Sequence, residues 1–248
     1  MSGGVVILPD RFDAVIFDTD GVITDTASVH AGAWAEMLNE FLAARRVRPG
    51  ENRQPFSDED YRQFVDGKPR YDGVASFLSS RGIVADLETV HRLGDQKDRL
   101  FRKLLTEQGV RPFPSTVALV QALAANGIRT AAISASRNCA EVLAAAGLAE
   151  TFDIRVDGVV ADELGLPGKP DPAIFLEAAR RLGVRPQRAV VVEDALAGVE
   201  AGRRGGFGLV IGVDRTRHPR TLSEHGADVV VSDLAEVTIG KPSNGMDQ

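Results

Sequence analysis

Phe17-Asp18-Thr19-Asp20-Gly21-Val22 closes an apolar run that starts at Phe12-Asp13-Ala14-Val15-Ile16, and together they read as a strand ending on acids. Residues i and i+2 of an extended segment share a face, so Asp18 and Asp20 point the same way from its carboxyl end. Open α/β sheets place their ligands at that end. Gly21 then supplies the backbone freedom for a sharp exit. Asp-x-Asp-Gly also makes ordinary turns through side chain to backbone bonds, so these four residues alone do not separate a catalytic pair from a turn.

Working outward, the chain from about Val117 alternates helix and strand. Strands are predicted at 128–133, 152–156, 189–192, 209–213 and 228–231, with helices ending near Ala125, Ala146, Leu182 and Arg204. Nearly continuous apolar strands separated by helices mean a parallel sheet covered on both faces. Between residues 27 and 110 no strand is evident. Helices are expected over 27–47, with Trp34, Met37, Leu38, Phe41 and Leu42 as one apolar stripe, and over 61–65, 71–81 and 87–108, with a polar loop at 48–60. Thr24-Asp25-Thr26 reads as a connector carrying the helix N-cap. The expected fold is therefore α/β, a doubly wound parallel-sheet (Rossmann-like) core of residues 1–26 and 111–248. An α-helical cap of residues 27–110 is inserted after the first strand, over the sheet edge that carries Asp18 and Asp20.

The chain has 248 residues, enough to bury a sizeable core, and 44% hydrophobic with 26% charged residues is ordinary for a globular protein. A formal charge of -6 argues against nucleic acid or an anionic membrane as the main partner, so any phosphate site must be built locally. The single cysteine, Cys139, cannot pair within the chain and has no zinc-like spacing around it, which predicts a disulfide-free cytoplasmic protein. It reads as a small buried hydrophobe in the helix after Asn138. The patch at 1–9 lacks a cationic flank, and no run approaches a membrane span. There is no internal repeat, and 240–248 is polar and expected to be loose.

Three further pieces come after Asp18 and Asp20 in the chain, each just beyond a predicted strand. Ser134 leads Ala135-Ser136-Arg137-Asn138 into a helix, where a hydroxyl and free N–H groups can cradle phosphate oxygens; capping by Ser134 or Ser136 explains the same residues. Lys169 lies in Gly168-Lys169-Pro170-Asp171-Pro172. Asp171 and Pro172 account for a helix start as N-cap and N1, and Lys169 is not needed for it. A cation there suits charge building on a transferred phosphoryl group, although a solvated loop lysine is the plainer reading. Glu193 and Asp194 close the strand Val190-Val191-Val192. Asp194 could be only a helix cap, but Glu193 beside it would then add repulsion. A divalent ion shared with Asp18 resolves that conflict. In this scheme Asp18 is the nucleophile and Asp20 the general acid/base. Asp18, Asp194 and the Asp20 carbonyl ligate the metal, and Glu193 contacts it directly or through water.

Four pieces in this order resemble the haloacid dehalogenase-like phosphotransferases, whose motifs match Asp18-Thr19-Asp20-Gly21, Ser134, Lys169 and Glu193-Asp194 over about residues 12–233. The resemblance implies an aspartyl-phosphate at Asp18 and Mg2+. Within that superfamily, the stretch from Asp18 to His30 with Ala33-Trp34, and Ile133 to Asn138, look like β-phosphoglucomutase. Thr19 stands where an apolar residue is more usual, but its side chain is expected to face away from the site. The insertion at 48–60 departs from the family pattern and bears on substrate identity.

A mutase must let its bisphosphate intermediate reverse, so a second anion site is expected on the cap. Lys97 falls within the apolar stripe of helix 87–108, where a charge is costly unless it reaches solvent or an anionic partner. Arg70 resembles the family's distal-phosphate residue, and His30 matches a family histidine that helps position Asp20. Thr26, Ser136, Arg137 and Asn138 complete the substrate side, with phosphate held by Ser134, Ala135 and Lys169. Thr26 and the segment 110–114 are the expected hinges. His91, His218 and His225 are assigned no role. The implied reaction interconverts β-D-glucose 1-phosphate and glucose 6-phosphate through glucose 1,6-bisphosphate, in a monomer. The alternatives are a sugar-phosphate or other small phosphate-ester phosphatase, a phosphoacceptor signalling domain, for which the chain is about twice too long, and a noncatalytic binding relative.

Overall fold

The computed structural model describes residues 4–46, 48–215 and 219–241. The chain opens with β1 (Val5–Ile7) and β2 (Ala14–Asp18), then makes helices only: α1 (Ala27–Ala44), the short α2 (Asp58–Asp60) running into a π-helical turn (Tyr61–Val65), α3 (Arg70–Ser80) and α4 (Leu87–Gln108). After α5 (Pro114–Ala125) come β3 (Arg129–Ile133), α6 (Cys139–Ala145), β4 (Ile154–Val156), α7 (Gly158–Leu164) and α8 (Ala173–Leu182). The last elements are β5 (Ala189–Glu193), α9 (Leu196–Arg204), β6 (Leu209–Val213), α10 (Pro219–Glu224), β7 (Val229–Val231) and β8 (Val237–Ile239).

Six strands form one parallel sheet in the order β4-β3-β2-β5-β6-β7. The strand order reverses at β2, the kind of switch point where α/β sheets hold ligands. Alternation along β2 decides which side each residue serves. Val15 and Phe17 join the core that contains Val120, Leu123 and Leu143 of α5 and α6. Ala14 and Ile16 join the one that contains Phe175, Ala178 and Val199 of α8 and α9. Each fully buried Val, Ile or Phe contributes about 1.5–3 kcal/mol, and a one-residue slip would exchange the two faces. With this register held, Asp18 sits opposite Ile133 and Phe17 opposite Val192. The ends of β2, β3 and β5 are therefore level.

The helices between β2 and α5 have their own apolar centre, where Trp34, Met37 and Leu38 of α1 meet Phe77 and Leu78 of α3 and Leu93 of α4. A smaller cluster of Val29, Ala33 and Phe101 reaches Val142 of α6. The two chain crossings between helical and sheet parts run side by side: Thr24 bridges Pro112, Asp25 N donates to Arg111 O at 2.9 Å, and Phe113 N donates to Ile23 O at 2.9 Å. The polar loop at 48–60 is tied down as well, since Asn39 Oδ1 accepts from Phe56 N at 2.8 Å and Arg81 pairs with Asp60 at 2.6 Å.

Several elements differ from the sequence reading. β1 and β8 pair in parallel as a separate two-stranded sheet; each has three residues, and only the distant partner makes either a strand. α7 is absent from the expectation because Gly158-Val159-Val160 favours strand. It forms because Asp157 accepts from Val159 N and Val160 N, both at 3.1 Å. α8 starts one residue later than read, with Pro172 at the N-cap and Asp171 Oδ1 accepting from Ala173 N. α10 likewise has no counterpart in that reading. Helix α1 ends at Ala44; its expected end, Val47, and the unassigned His218 lie outside the described residues. Gly240 is held through a bond to Ile7 O at 2.9 Å, while 242–248 fall outside the description.

Candidate active site

The alternation that buries Ile16 toward α8 sends Asp18 to the same side, where Lys169 arrives on the loop before α8. Lys169 Nζ lies 2.5 Å from both Asp18 Oδ1 and Glu193 Oε1. The odd residue, Thr19, turns the other way: its hydroxyl donates to Ile133 O at 2.8 Å and lies 3.4 Å from the buried Cys139 Sγ. Asp20 returns toward the cavity. Its Oδ1 accepts from Thr26 Oγ1 at 2.5 Å and its Oδ2 from Ser134 Oγ at 3.1 Å. His30 Nε2 lies 3.2 Å from Oδ1 without the alignment of a full hydrogen bond.

Glu193 is fully buried, and its Oε2 accepts from Ala195 N at 2.8 Å. Asp194 does not cap α9, whose N-cap is Ala195. One oxygen each from Asp18, Glu193 and Asp194 lies within 4.8 Å of the others. Two glycines make room for these acids. Gly21 has φ +88°, and a Cβ there would sit 1.9 Å from Asp194 Oδ2. A Cβ on Gly198 would sit 1.7 Å from Glu193 Oε1.

Crowded acids set the electrostatics. Burial raises the pKa of Asp18 well above the usual carboxylate range, with Glu193 and Asp20 adding to it and Lys169 opposing. Burial also raises Asp194, helped by Asp66, Glu193 and Asp18. Asp20 goes the other way: burial opposes ionisation, but His30, Thr26 and Ser134 together hold its carboxyl below the usual range. Burial opposes the charge on Lys169 too, yet Asp18 and Glu193 outweigh it and raise the ammonium above its ordinary value. One ammonium thus serves two carboxylates, with a third beside them. All-oxygen donors at this spacing suit a hard divalent cation, which would restore ionisation of Asp18 and Asp194. The Asp20 carboxylate is committed to Thr26, Ser134 and His30, so any part it took would fall to its backbone carbonyl.

These groups face one cavity between the sheet and the helices. Asp18, Asp20, Ser134, Ala135, Ser136, Asn138 and Asp194 line it from the sheet side, and His30, Trp34, Arg70 and Lys97 from the helical side. Lys97 does not snorkel. It is 6% exposed, with Nζ 2.6 Å from His30 Nδ1 and 5.3 and 4.9 Å from the ring centroids of Trp34 and Phe101. An ammonium donating to Nδ1 leaves the imidazole proton on Nε2, facing Asp20. Burial, with Lys97 next to it, also lowers the His30 pKa.

Not every expected residue is brought to the cavity. Arg137 points away, pairing with Asp162 at 3.0 Å. Thr26 and Lys169 act behind the lining, through Asp20 and Asp18. Three participants escaped the sequence reading. Asp98 pairs with Arg70 at 3.0 Å and accepts from Asn138 Nδ2 at 2.8 Å, joining α4 to the loop before α6. Tyr61 and Asp66 also line the cavity, and burial beside Glu193 pushes the Asp66 carboxyl up to about 7. Asp98 carries no signal beyond its place next to Lys97, since with Arg102 it reads as an ordinary i,i+4 surface pair.

The model of the haloacid dehalogenase-like hydrolases matches residues 12–206. The chain belongs to that family. A β-phosphoglucomutase of Mycobacterium bovis is 46% identical over 246 residues, covering 94% of this chain and 94% of that protein. A phosphorylated carbohydrates phosphatase of Thermotoga maritima is 32% identical over 225 residues, covering 88% and 94%. The crystal structure of β-phosphoglucomutase from Clostridium difficile superposes with a TM-score of 0.73 at 26% identity, over 91% of this chain and 92% of that one. Among haloacid dehalogenase-like hydrolases this chain therefore sits with the β-phosphoglucomutase-like members. Mutase and phosphatase both occur among its relatives.

Proposed function

We propose that this enzyme interconverts β-D-glucose 1-phosphate and glucose 6-phosphate through a phosphoaspartate at Asp18 and free or bound glucose 1,6-bisphosphate. The observation that carries the reading is the pair of basic side chains, Arg70 and Lys97, that the helical block turns into the cavity opposite Asp18 and Asp20, with a phosphate dianion favouring the protonated form of Lys97 when it arrives. A bisphosphate needs charge recognition at both ends, and a bidentate guanidinium suits the far one.

In this reading residues 1–26 and 111–248 form the catalytic core, 27–110 the cap, and the paired crossings at Thr26 and 110–114 the hinge. With the phosphoryl group on Asp18, the ionised Asp20 takes the proton of the accepting sugar hydroxyl as the phosphoryl group passes to it. When Asp18 then attacks the phosphorus at the other end of the bisphosphate, Asp20 returns that proton to the departing sugar oxygen. Thr26, Ser134 and His30 hold Asp20 on line for both steps. Ser134 and the N–H of Ala135 cradle the transferring group, with Lys169 balancing the charge on Asp18 and Glu193. Asp18, Asp194 and the Asp20 carbonyl, with Glu193 alongside, would hold Mg2+, which when bound neutralises phosphate oxygens. Contact of Asp98 with both Arg70 and Asn138 supports a closed cap that excludes water from the phosphoaspartate. A cytoplasmic monomer acting on a small phosphorylated sugar fits a chain whose described helices include none long and apolar enough to cross a membrane.

A second reading, hydrolysis of a sugar phosphate with water as final acceptor, has the Thermotoga relative in its favour. One assay separates them: α- or β-glucose 1-phosphate with a trace of bisphosphate, following glucose 6-phosphate and released phosphate in parallel. The mutase reading expects glucose 6-phosphate from the β-anomer alone, with little phosphate released. Phosphate without glucose 6-phosphate overturns it in favour of the phosphatase.

A further inference from the structure

Arg215, just beyond β6, lies outside every motif and outside the sugar cavity, yet it touches the catalytic loop. Its Nε donates to Gly21 O at 3.0 Å, its guanidinium carbon lies 3.8 Å from the ring centroid of Phe113, and Nη1 is 3.6 Å from Asp233 Oδ2. Gly21 N in turn donates to Thr24 O at 2.8 Å, so both backbone polar groups of Gly21 are held. Only one of these holds comes from outside the loop.

Gly21 is the least constrained residue of the loop, with φ +88° and no side chain to pack, and Asp20 immediately precedes it. Any swing of the Gly21 backbone moves the Asp20 carbonyl and carboxylate together, and brings the loop against Asp194. Phe113, the other residue under the guanidinium, belongs to the crossing that returns from the helices and bonds Ile23 O. A planar cation can donate at its edge while stacking through its face; an ammonium cannot do both.

We propose that Arg215 is a positioning residue that clamps the Gly21 carbonyl to the Phe113 crossing, so that loop geometry at the acidic cluster and hinge position are set as one unit. The proposal rests on the reading of Asp18, Glu193 and Asp194 as a divalent-cation site. It predicts that Arg215 governs cation affinity without touching cation or sugar.

The test is Mg2+ titration of the full-length protein without substrate, read by the fluorescence of Trp34, the single tryptophan, in the cavity wall. For Arg215→Gln the Mg2+ midpoint weakens by about tenfold or more and kcat falls comparably, with KM for the sugar phosphate within about threefold. Arg215→Lys recovers only part of the midpoint, and Asp233→Asn, which leaves the Gly21 contact, stays within about twofold of wild type. Should Arg215→Gln not fold, Phe113→Leu keeps the hydrogen bond but removes the stacking face, and it moves the midpoint the same way by about two- to fivefold. A folded Arg215→Gln with an unchanged midpoint overturns the clamp. So does a loss of kcat that tracks only a lower melting temperature while Mg2+ binding is unaltered. A wild type that binds Mg2+ but transfers no phosphate between sugar positions overturns the mutase reading alone, because the midpoint is read without turnover.

Discussion

Replacing Lys97 by methionine tests the electrostatics of the cavity. The ammonium is 6% exposed between Trp34, Phe101 and His30, and it has no carboxylate in ion-pair contact among the described residues. Burial, with Arg70 adding to it and Asp20 and Asp98 opposing, lowers its pKa from 10.5 to about 7. That displacement corresponds to roughly 5 kcal/mol of preference for the neutral amine. The sign comes from proton counting. Between about pH 7 and 10.5 the unfolded chain keeps this proton and the folded chain has shed it, so stability rises with pH there. Below about pH 7 both states are protonated and the folded state carries the whole penalty. Methionine fills similar space with no charge. The unfolding free energy of the wild type, measured in urea against Lys97→Met, should therefore gain about 1.4 kcal/mol per pH unit between pH 7.5 and 9.5. At pH 6.5 Lys97→Met should be the more stable protein while binding sugar phosphate more weakly, a trade of stability for function. A stability difference that stays flat from pH 6.5 to 9.5 would refute the reasoning, because the ammonium would then be solvated in the folded state.

The same geometry sets three other expectations. Gly21→Ala places a Cβ 1.9 Å from Asp194 Oδ2 at φ +88°; thermal or urea unfolding should show a loss of about 1–3 kcal/mol, with Mg2+ binding weakened beyond that of a surface Gly→Ala control. Arg70→Ala removes one of the partners of Asp98 and the distal cation, so steady-state kinetics should show KM for sugar phosphate rising by about tenfold or more, while hydrolysis of a small aryl phosphate stays nearly unchanged. Removing divalent ions with a chelator should abolish turnover and leave the circular dichroism of the fold intact, since Lys169 still pairs with Asp18 and Glu193; Mg2+ should restore it.

What the sequence revealed and what it hid divide along a physical line. The strands of the main sheet and the acids at their ends were legible because buried parallel strands are continuous apolar runs, and charges abutting them stand out. Asp18, Glu193 and Asp194, which the fold brings together, were picked out that way, and Lys97 as a charge in an apolar stripe; Ser134 was picked out only as a hydroxyl leading into a helix, and Lys169 only as a loop cation that the helix start did not need. β1 and β8 were not, since three residues hold no period and their stability comes from a partner more than two hundred positions away. Asp98, Asp66 and Arg215 look like surface charge locally; only the fold brings Asp98 to Asn138 and Arg215 to Gly21. Arg137, by contrast, was placed at the cavity by its neighbours in the chain, and its side chain turns to Asp162 on α7, a helix hidden by its own valines.

The account turns on a phosphoryl group reaching Asp18. Protein exposed briefly to glucose 1,6-bisphosphate and Mg2+, quenched with borohydride and digested, should yield a peptide in which Asp18 alone has been reduced to homoserine, the mark of an acyl phosphate. An unmodified Asp18 in protein that turns over, or reduction at Asp20 or Asp194 instead, would contradict it.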